Sequence, residues 1–327
     1  MSAASTPAPA TARSGINAQF GTYIGLAVVL LGMVALFSSL SEYFFTRDTF
    51  VAIVNEIPAL AVMAVGMTFV LIIAGIDLSV GSVLALSAAL SAMAILQWGW
   101  STPAAALLGM GAGALCGLVL GSVSVAWRLP SFIVSLGMLE VVRGAAYLVT
   151  GSRTQYVGDR IAGLAAPWIA GISVSFLLAV ALVIIGQLVL TRTVFGRSVV
   201  GIGTNEEAMR LAGVDPRPVR ILVFTLTGLL AGLAGLMQAA RMEAADPNAG
   251  QGMELRVIAA VVIGGTSLMG GRGSVVNTFI GVLIIAVLEA GLAQVGASEP
   301  SKRIITGCVI VVAVIVDTLR QRRAGKG

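Results

Sequence analysis

The chain has 327 residues, of which 57% are hydrophobic and 11% are charged, and its mean hydropathy is +0.99. A soluble domain carries roughly 25% charged residues, so the composition excludes a soluble globular protein and indicates a body embedded in lipid. The net charge is +5 and there is no histidine. Because histidine is the commonest metal ligand, we expect no metal site, and we expect no cofactor. The basic residues lie beside apolar runs, which favours membrane topology over nucleic-acid binding.

Residues 1–19 are rich in Ala, Ser, Thr and Pro, which predicts a disordered tail. Apolar runs follow, and a helical span needs about 20 such residues. They cover roughly residues 21–40, 51–74, 79–97, 103–127, 130–150, 170–190, 220–240, 256–270, 274–295 and 303–319. The sequence therefore predicts an all-α fold, a polytopic membrane bundle of about ten transmembrane helices over residues 20–319. A basic tail at residues 320–327 completes the chain.

Small residues indicate how the spans pack. Gly109, Gly113, Gly117 and Gly121 recur at every fourth position and so share one face of a helix. Such a face allows another backbone to approach closely. We interpret these glycines as packing residues and not as a substrate site.

A short Gly-bounded break lies between the second and third apolar runs, at residues 75–81, and we call it the membrane break. It puts Asp77 between two apolar runs, and an ionisable residue at membrane depth is a candidate functional residue. Asp77 or Ser79 either caps the next helix or lies in a transport path. The two roles are compatible, because a broken helix beside a path needs its backbone groups satisfied.

A further segment, the Gly-rich loop, is residues 264–274. It lacks the Lys-Ser/Thr ending that a nucleotide-binding loop needs, so we exclude ATP binding by this chain. The glycines instead predict a non-helical connection between short half-spans, tolerated only where it is buried or lines a wet cavity. Asn55 and Asn277 either line the path or bond between helices. The translocation-path candidates are Asn55, Asp77, Ser79, Gly264, Gly265, Thr266, Ser267 and Asn277.

One long polar stretch, the basic loop, occupies residues 191–220. Thr204 and Glu207 match a capping box, Gly213 is placed to end the helix, and Asp215 precedes a proline that stops continuation. A helix of two turns is marginal alone, so we expect it to dock on its own loop or in a partner's groove. The candidate coupling residues are Thr204, Asn205, Glu206, Glu207, Ala208, Arg210, Leu211, Ala212 and Gly213.

Two further features concern charge. Glu140 and Arg143 are three residues apart in one span, which predicts an intramembrane pair that is structural rather than a substrate contact. Lys and Arg are more frequent on the side that holds the basic loop, which favours cytoplasmic N- and C-termini.

Together these segments resemble the permease subunits of ribose-type (monosaccharide) ABC importers. The resemblance rests on Ile76-Asp77-Leu78-Ser79-Val80-Gly81-Ser82, Pro130-Ser131-Phe132-Ile133-Val134-Ser135-Leu136-Gly137-Met138, Asn205-Glu206-Glu207-Ala208 with Leu211-Ala212-Gly213, and Gly264-Gly265-Thr266-Ser267 with Gly270-Gly271. It implies a type II importer arrangement in the bacterial inner membrane, with the helix near 204–213 coupling to an ATPase. The implied partners are a cytoplasmic ABC ATPase, a periplasmic sugar-binding protein, membrane lipid, and a second permease copy (a homodimer) or a homologous permease.

The function predicted is therefore import of a monosaccharide by alternating access, with ATP hydrolysed by a partner and no enzymatic activity in this chain. One alternative is an ABC importer permease for branched-chain amino acids or nucleosides. Another is an ion-coupled secondary carrier, which would need acids or cation-binding clusters that converge near the midplane.

Overall fold

The computed structural model describes residues 13–324 as a helical bundle, which confirms the all-α prediction. In chain order the helices are α1 Arg13–Leu40, α2 Arg47–Glu56, α3 Pro58–Ile72, α4 Val80–Leu96, α5 Thr102–Ala126, α6 Ser131–Thr150, α7 Val174–Arg192, α8 Val194–Thr204, α9 Glu206–Leu211, α10 Pro216–Met242, α11 Met253–Ile263, α12 Val275–Gln294 and α13 Glu299–Ala324. The strands are β1 Gln155–Tyr156, β2 Pro167–Ile169, β3 Ile172–Ser173 and β4 Ala244–Ala245.

Each predicted apolar run corresponds to a helix or a bent helix pair. Five helices (α5, α6, α7, α10 and α12) are each long and apolar enough to cross a membrane. The pair α2–α3, bent by 46°, makes a sixth, and α4 and residues 24–40 of α1 are shorter apolar helices. Helix α11 has only 11 residues and is a half-span. The bundle is thus consistent with about ten membrane passages of unequal length.

Two predicted boundaries differ from the structure. Helix α1 begins at Arg13, inside the stretch predicted to be a disordered tail, and residues 1–12 of that tail lie outside the described residues. The last proline before α1 is Pro9, so nothing after it prevents a helix. At the other end α13 continues to Ala324, past the start of the predicted basic tail, and residues 325–327 are outside the described range.

Helices α5 and α10 are packed backbone to backbone, as the glycine spacing predicted. A Cβ atom on Gly113 would lie 2.3 Å from the carbonyl oxygen of Gly228. A Cβ atom on Gly117 would lie 2.1 Å from the carbonyl oxygen of Phe224. No side chain fits at these distances, so the glycines are required for the approach of the two helices.

The centre of the bundle is α3, in which every residue from Pro58 to Ile72 is buried. Helices α7, α10, α11 and α12 pack against it. A helix that is apolar on all sides is expected to be buried on all sides. Because α3 ends at the membrane break, the bundle's core leads directly to one of the predicted functional segments.

The bundle has two distinct ends. Helices α8 and α9 lie at one end, the coupling face, and the four strands lie at the other, the hairpin face, because α7 and α10 each connect one end to the other. On the hairpin face β1 pairs antiparallel with β4, and β2 pairs with β3. The Tyr156 hydroxyl donates to Glu243 across the first pair at 2.9 Å, and this hydrogen bond raises the pKa of Tyr156.

Candidate functional site

The coupling helix α9 begins one residue later than predicted. Asn205 is its N-cap, in an extended conformation, and its side-chain oxygen accepts from the Ala208 N–H at 2.9 Å. Thr204 instead ends α8, where its hydroxyl donates to the Val200 carbonyl at 2.8 Å. The predicted capping box of Thr204 and Glu207 is therefore wrong, because α8 continues through Thr204 and leaves Asn205 as the first residue free to cap.

The other end of α9 confirms the prediction. Gly213 has a φ of +81°, and its N–H donates to the Arg210 carbonyl at 2.9 Å. A positive φ after the last helical turn is the typical glycine cap. Asp215 then caps α10, with its carboxylate accepting from the Arg217 N–H at 3.0 Å. The chain therefore turns from α9 into α10 within a few residues.

Helix α9 is fixed on one side and exposed on the other. Glu206 forms ion pairs with Arg210 at 2.8 Å and with Arg220 at 2.7 Å, and Met209 packs against Gly201 of α8. The opposite side carries Leu211, which is 84% exposed. The other residues exposed on this side are Glu207, Ala208 and Ala212.

Directly beside α9, three backbone segments meet. A Cβ atom on Gly203 would lie 1.7 Å from the Ile72 carbonyl oxygen and 2.6 Å from the Gly271 nitrogen. The Gly271 N–H itself donates to the Ile72 carbonyl at 2.8 Å. The end of α8, the end of α3 and the Gly-rich loop are therefore in main-chain contact, with no room for a side chain between them.

The Gly-rich loop is non-helical between α11 and α12, as predicted. Gly265, Gly270 and Gly271 all have positive φ, which other residues rarely adopt. Gly264 lies against α12, since a Cβ there would be 2.7 Å from the Thr278 backbone. The Ser267 N–H donates to the Arg272 carbonyl at 3.0 Å and closes the loop.

Two path candidates in this region have buried polar atoms. Thr266 is fully buried and Asn277 is 9% exposed. Within residues 13–324, the Thr266 hydroxyl and the Asn277 side-chain carbonyl have no hydrogen-bond partner. Such atoms are costly unless they meet a polar partner, which keeps both residues as candidates for contact with water or solute.

The membrane break is also confirmed, since α3 ends at Ile72 and α4 begins at Val80. Asp77 is 1% exposed, and its carboxylate accepts from the Ser79 N–H at 2.8 Å and from the Ser79 hydroxyl at 2.6 Å. Asp77 therefore satisfies the turn ahead of α4. A direct role for either residue in the path remains a prediction.

Asn55 lies at the hairpin face. Its amide nitrogen donates to the Gly171 carbonyl at 2.9 Å, and its oxygen accepts from the Ser173 N–H at 2.8 Å. These bonds connect α2 to the turn between β2 and β3, through Gly171, and to the end of β3, through Ser173. Of the two roles left open by the sequence, the geometry favours hydrogen bonding between elements.

Glu140 and Arg143 do not form the predicted pair in the described part of the chain. The Arg143 guanidinium donates instead to the Pro247 and Ala249 carbonyls, at 2.7 Å each. Arg143 is 9% exposed, whereas Glu140 is exposed. Both carbonyls accept from Nη1 of Arg143, so the guanidinium is directed towards a distant segment and away from the exposed side of α6 that carries Glu140.

That segment, residues 246–252, is called the polar segment, and the sequence interpretation missed it. Asn248 is its most connected residue, because its side-chain oxygen accepts from the Tyr147 hydroxyl at 2.5 Å and from Gln251 at 3.2 Å. Asp246 accepts from the Asn248 N–H at 2.9 Å. A usable signal was present in the dense Asp, Asn, Gln and Gly content directly before an apolar run, but it resembled an ordinary loop.

A bundle of apolar helices that is broken twice by buried irregular backbone, with a docked helix at one end, has the architecture of a membrane permease. The model of the family described as "Branched-chain amino acid transport system / permease component" matches residues 49–314, and the chain belongs to this family. As a permease component it is a transport subunit and not an enzyme. Family membership and the apolar helices together indicate a multi-pass protein of the inner membrane.

Several curated relatives are similar over nearly the whole chain. The ribose import permease protein RbsC of Escherichia coli (strain K12) is 39% identical over 309 residues, which cover 90% of this chain and 93% of the relative. The fructose import permease protein FrcC of Rhizobium meliloti is 33% identical, with 90% and 84% covered. The L-arabinose ABC transporter permease protein AraH of Azospirillum brasilense is 34% identical, with 98% and 94% covered. No solved structure matches the chain.

Proposed function

We propose that this chain is the membrane-spanning subunit of an ATP-driven importer that moves a monosaccharide of the ribose type by alternating access. The support for a sugar is that the similar permeases are named for ribose, fructose and arabinose. The family description names branched-chain amino acids, which keeps that substrate class as the alternative. Full-length similarity at 39% identity to a ribose permease favours the sugar.

The single observation that carries the mechanism is the two-sided character of α9. Leu211, which is 84% exposed, forms a small apolar face with Ala208 and Ala212 on a helix that is too short to be stable alone, and such a helix is stabilised by docking on a partner. We infer that the partner is a cytoplasmic ABC ATPase, so the coupling face and both termini are cytoplasmic. Movement of the ATPase would displace α9 and, through the Gly203 contact, the ends of α3 and the Gly-rich loop.

Energy from ATP is favoured over an ion gradient. An ion-coupled carrier needs convergent cation ligands near the midplane. In the described residues Glu289 is engaged by Arg256 at 3.2 Å, and Asp77 by Ser79. No group of three His, Cys, Asp or Glu side chains in that part of the chain is arranged to hold a metal ion.

The remaining partners follow from the transport cycle. A periplasmic sugar-binding protein would deliver the sugar to the hairpin face. A second copy of this chain, as a homodimer, would complete the path, and membrane lipid would cover the outer apolar surface. In this scheme Asp77, Ser79 and the Gly-rich loop lie beside the path between the two faces.

The test uses the importer assembled in vesicles with its ATPase and binding protein. We expect Leu211→Ala to lower both sugar uptake and binding-protein-stimulated ATP hydrolysis by about tenfold, equivalent to about 1.4 kcal/mol of lost coupling. Ile184→Ala is the control, because Ile184 is a large apolar residue that is 54% exposed but lies in the middle of α7, away from both α9 and α6, so uptake should be unchanged. Normal uptake by a variant that lacks residues 204–213, or accumulation by the purified chain without an ATPase, would refute the proposal.

A further inference from the structure

The polar segment reaches deep into the bundle. Its Gly250 lies against Gly81 in the first turn of α4, where an added Cβ would be 2.3 Å from the Gly250 carbonyl oxygen. Gly81 is about 22 Å along α4 from that helix's outer end at Leu96, and Arg143 is about 10 Å along α6 from Thr150, at 1.5 Å per residue. The segment therefore descends from β4 on the hairpin face to membrane depth.

At this depth the segment exposes polar side chains. Asn248 and Gln251 are exposed, although the Arg143 bonds fix the backbone beside them. Glu140, near the middle of α6, is exposed and lies two turns from Tyr147 on the same face of that helix. Amides and a carboxylate at this depth are not stable against lipid hydrocarbon, nor is irregular backbone. This surface must therefore meet either water or protein.

The surface fits a wet path better than a contact with a second copy. Glu140 has no ion-pair partner within residues 13–324, and a carboxylate closed into a protein interface without a partner is strongly destabilising. Gly137 and Gly144 flank Glu140 on α6, and an added Cβ on either would have no neighbouring atom within 4 Å. This side of α6 is therefore not covered by the described part of this chain, which a surface that lines a path requires.

We propose that the polar segment and the adjoining face of α6 form the part of the translocation path that contacts the sugar. This rests on the function proposed above and adds a substrate-contact site to it. The contacting residues would be Glu140, Tyr147, Asn248 and Gln251. Arg143 is a positioning residue, since its guanidinium holds the segment's carbonyls rather than facing the path.

The chemistry of the site suits a polyol. Sugar hydroxyls donate and accept hydrogen bonds, a carboxylate such as Glu140 accepts, and amides such as Asn248 and Gln251 do both. Tyr147 offers an aromatic face for the apolar C–H side of a sugar ring, with its hydroxyl directed to Asn248. A branched-chain amino acid would instead need an apolar pocket for its side chain.

The first experiment measures whether the surface is wet. In the complete importer with Cys116 and Cys308 both replaced by alanine, Asn248→Cys and Ile184→Cys, on the exposed side of α7, are compared for reaction with a charged, membrane-impermeant thiol reagent. We expect the cysteine at Asn248 to react at least about tenfold faster, because thiolate formation needs water. Equal rates, or a disulfide between two copies in place of labelling, would mean lipid or a second copy covers this surface and would overturn the proposal.

The second experiment separates this site from the coupling helix. D-ribose, D-fructose and L-arabinose uptake is measured together with ATP hydrolysis for Asn248→Ala and Gln251→Ala. We expect uptake per ATP hydrolysed to fall about tenfold while stimulated hydrolysis stays within about twofold, since about 1.4 kcal/mol of path contact is lost. Asn248→Gln should restore part of the uptake.

The outcomes of the two proposals are distinguishable. If the unaltered importer takes up none of the three sugars in an ATP-dependent manner, the function proposed above fails. If it does take one up but the Asn248 and Gln251 variants keep the normal ratio of uptake to ATP hydrolysis, only the contact site fails.

Discussion

The coupling helix α9 and the polar segment are both short, and each exposes side chains that do not suit its surroundings. Helix α9 presents an apolar residue, Leu211, where the basic loop leaves the bundle. The polar segment presents Asn248 and Gln251 at membrane depth. The comparison teaches that an exposed side chain is informative only through its setting. Leu211 belongs to an apolar face on a helix that is too short to be stable alone, which suits a protein groove. Asn248 and Gln251 are polar groups at membrane depth, which suit a polar solute.

The two regions are also held in place by different interactions. Helix α9 depends on partly exposed ion pairs of Glu206 and on packing of Met209, and such surface pairs each contribute about 0–1 kcal/mol. The polar segment depends on two short hydrogen bonds from the buried guanidinium of Arg143. We therefore expect a substitution that removes one of the α9 ion pairs to have a small effect on stability. Substitution of Arg143 alone should displace the polar segment.

The largest loss of stability is expected at Gly203, where the backbone of α8 is closest to that of α3. Gly203→Ala places a Cβ against the Ile72 carbonyl, which cannot move aside, and should destabilise the protein by more than about 3 kcal/mol and abolish uptake. Gly201→Ala is the matched control, because its Cβ meets only the flexible Met209 side chain. Thermal unfolding in detergent measures both variants. Equal melting temperatures would show that the three-segment contact is not required.

Arg143→Met should have the next largest effect. It leaves the Pro247 and Ala249 carbonyls without their donor and should lower the free energy of unfolding by about 2–4 kcal/mol. Arg143→Lys keeps a charged nitrogen that can donate to these carbonyls and should lose less. The measurements are thermal unfolding and uptake. If Arg143→Met had the melting temperature of the unaltered protein while a variant in α9 melted at a lower temperature, the expectation that the polar segment is the more sensitive region would be wrong.

The smallest effect concerns the start of α9. Asn205→Ala removes the cap and should destabilise the helix by about 1 kcal/mol, lowering stimulated ATP hydrolysis modestly, whereas Thr204→Ala should be nearly neutral. Parallel ATPase assays on the two variants check this order. A larger loss of ATP hydrolysis for Thr204→Ala than for Asn205→Ala would indicate that Thr204 is the N-cap after all.

Much of the fold followed from local signals. Apolar runs of sufficient length predicted the helices, and the glycine spacing predicted that another backbone would approach α5 closely, because both depend on patterns within one helix. The spacing did not identify α10 as the partner. The cap of α9 was misjudged by one residue because Thr204 and Asn205 are both good caps, and only the extent of α8 decides between them. Gly213 was predicted correctly because a helix end next to Asp215-Pro216 leaves few alternatives.

The polar segment and the true partners of Arg143 could not be predicted in this way. Arg143 and Ala249 are far apart in sequence, and their contact exists only after α6, β4 and α11 have been assembled. From sequence alone, Glu140 three residues away was the nearest available acceptor for Arg143. The depth of residues 246–252 was also hidden, since polar residues between two spans normally lie outside the membrane.

The close packing of α5 on α10 has a mechanical consequence. Only Gly213, Val214 and Asp215 separate the C-cap of α9 from the first residue of α10, so a push on α9 is delivered to the base of a rod of 27 residues. Because the glycine backbones of α5 and α10 are in close contact, the two helices cannot slide past each other. They therefore tilt together as one rigid body. At about 40 Å in length, a tilt of about 5° would carry the far end of α10 through about 3.5 Å, enough to widen or close a passage for a small solute.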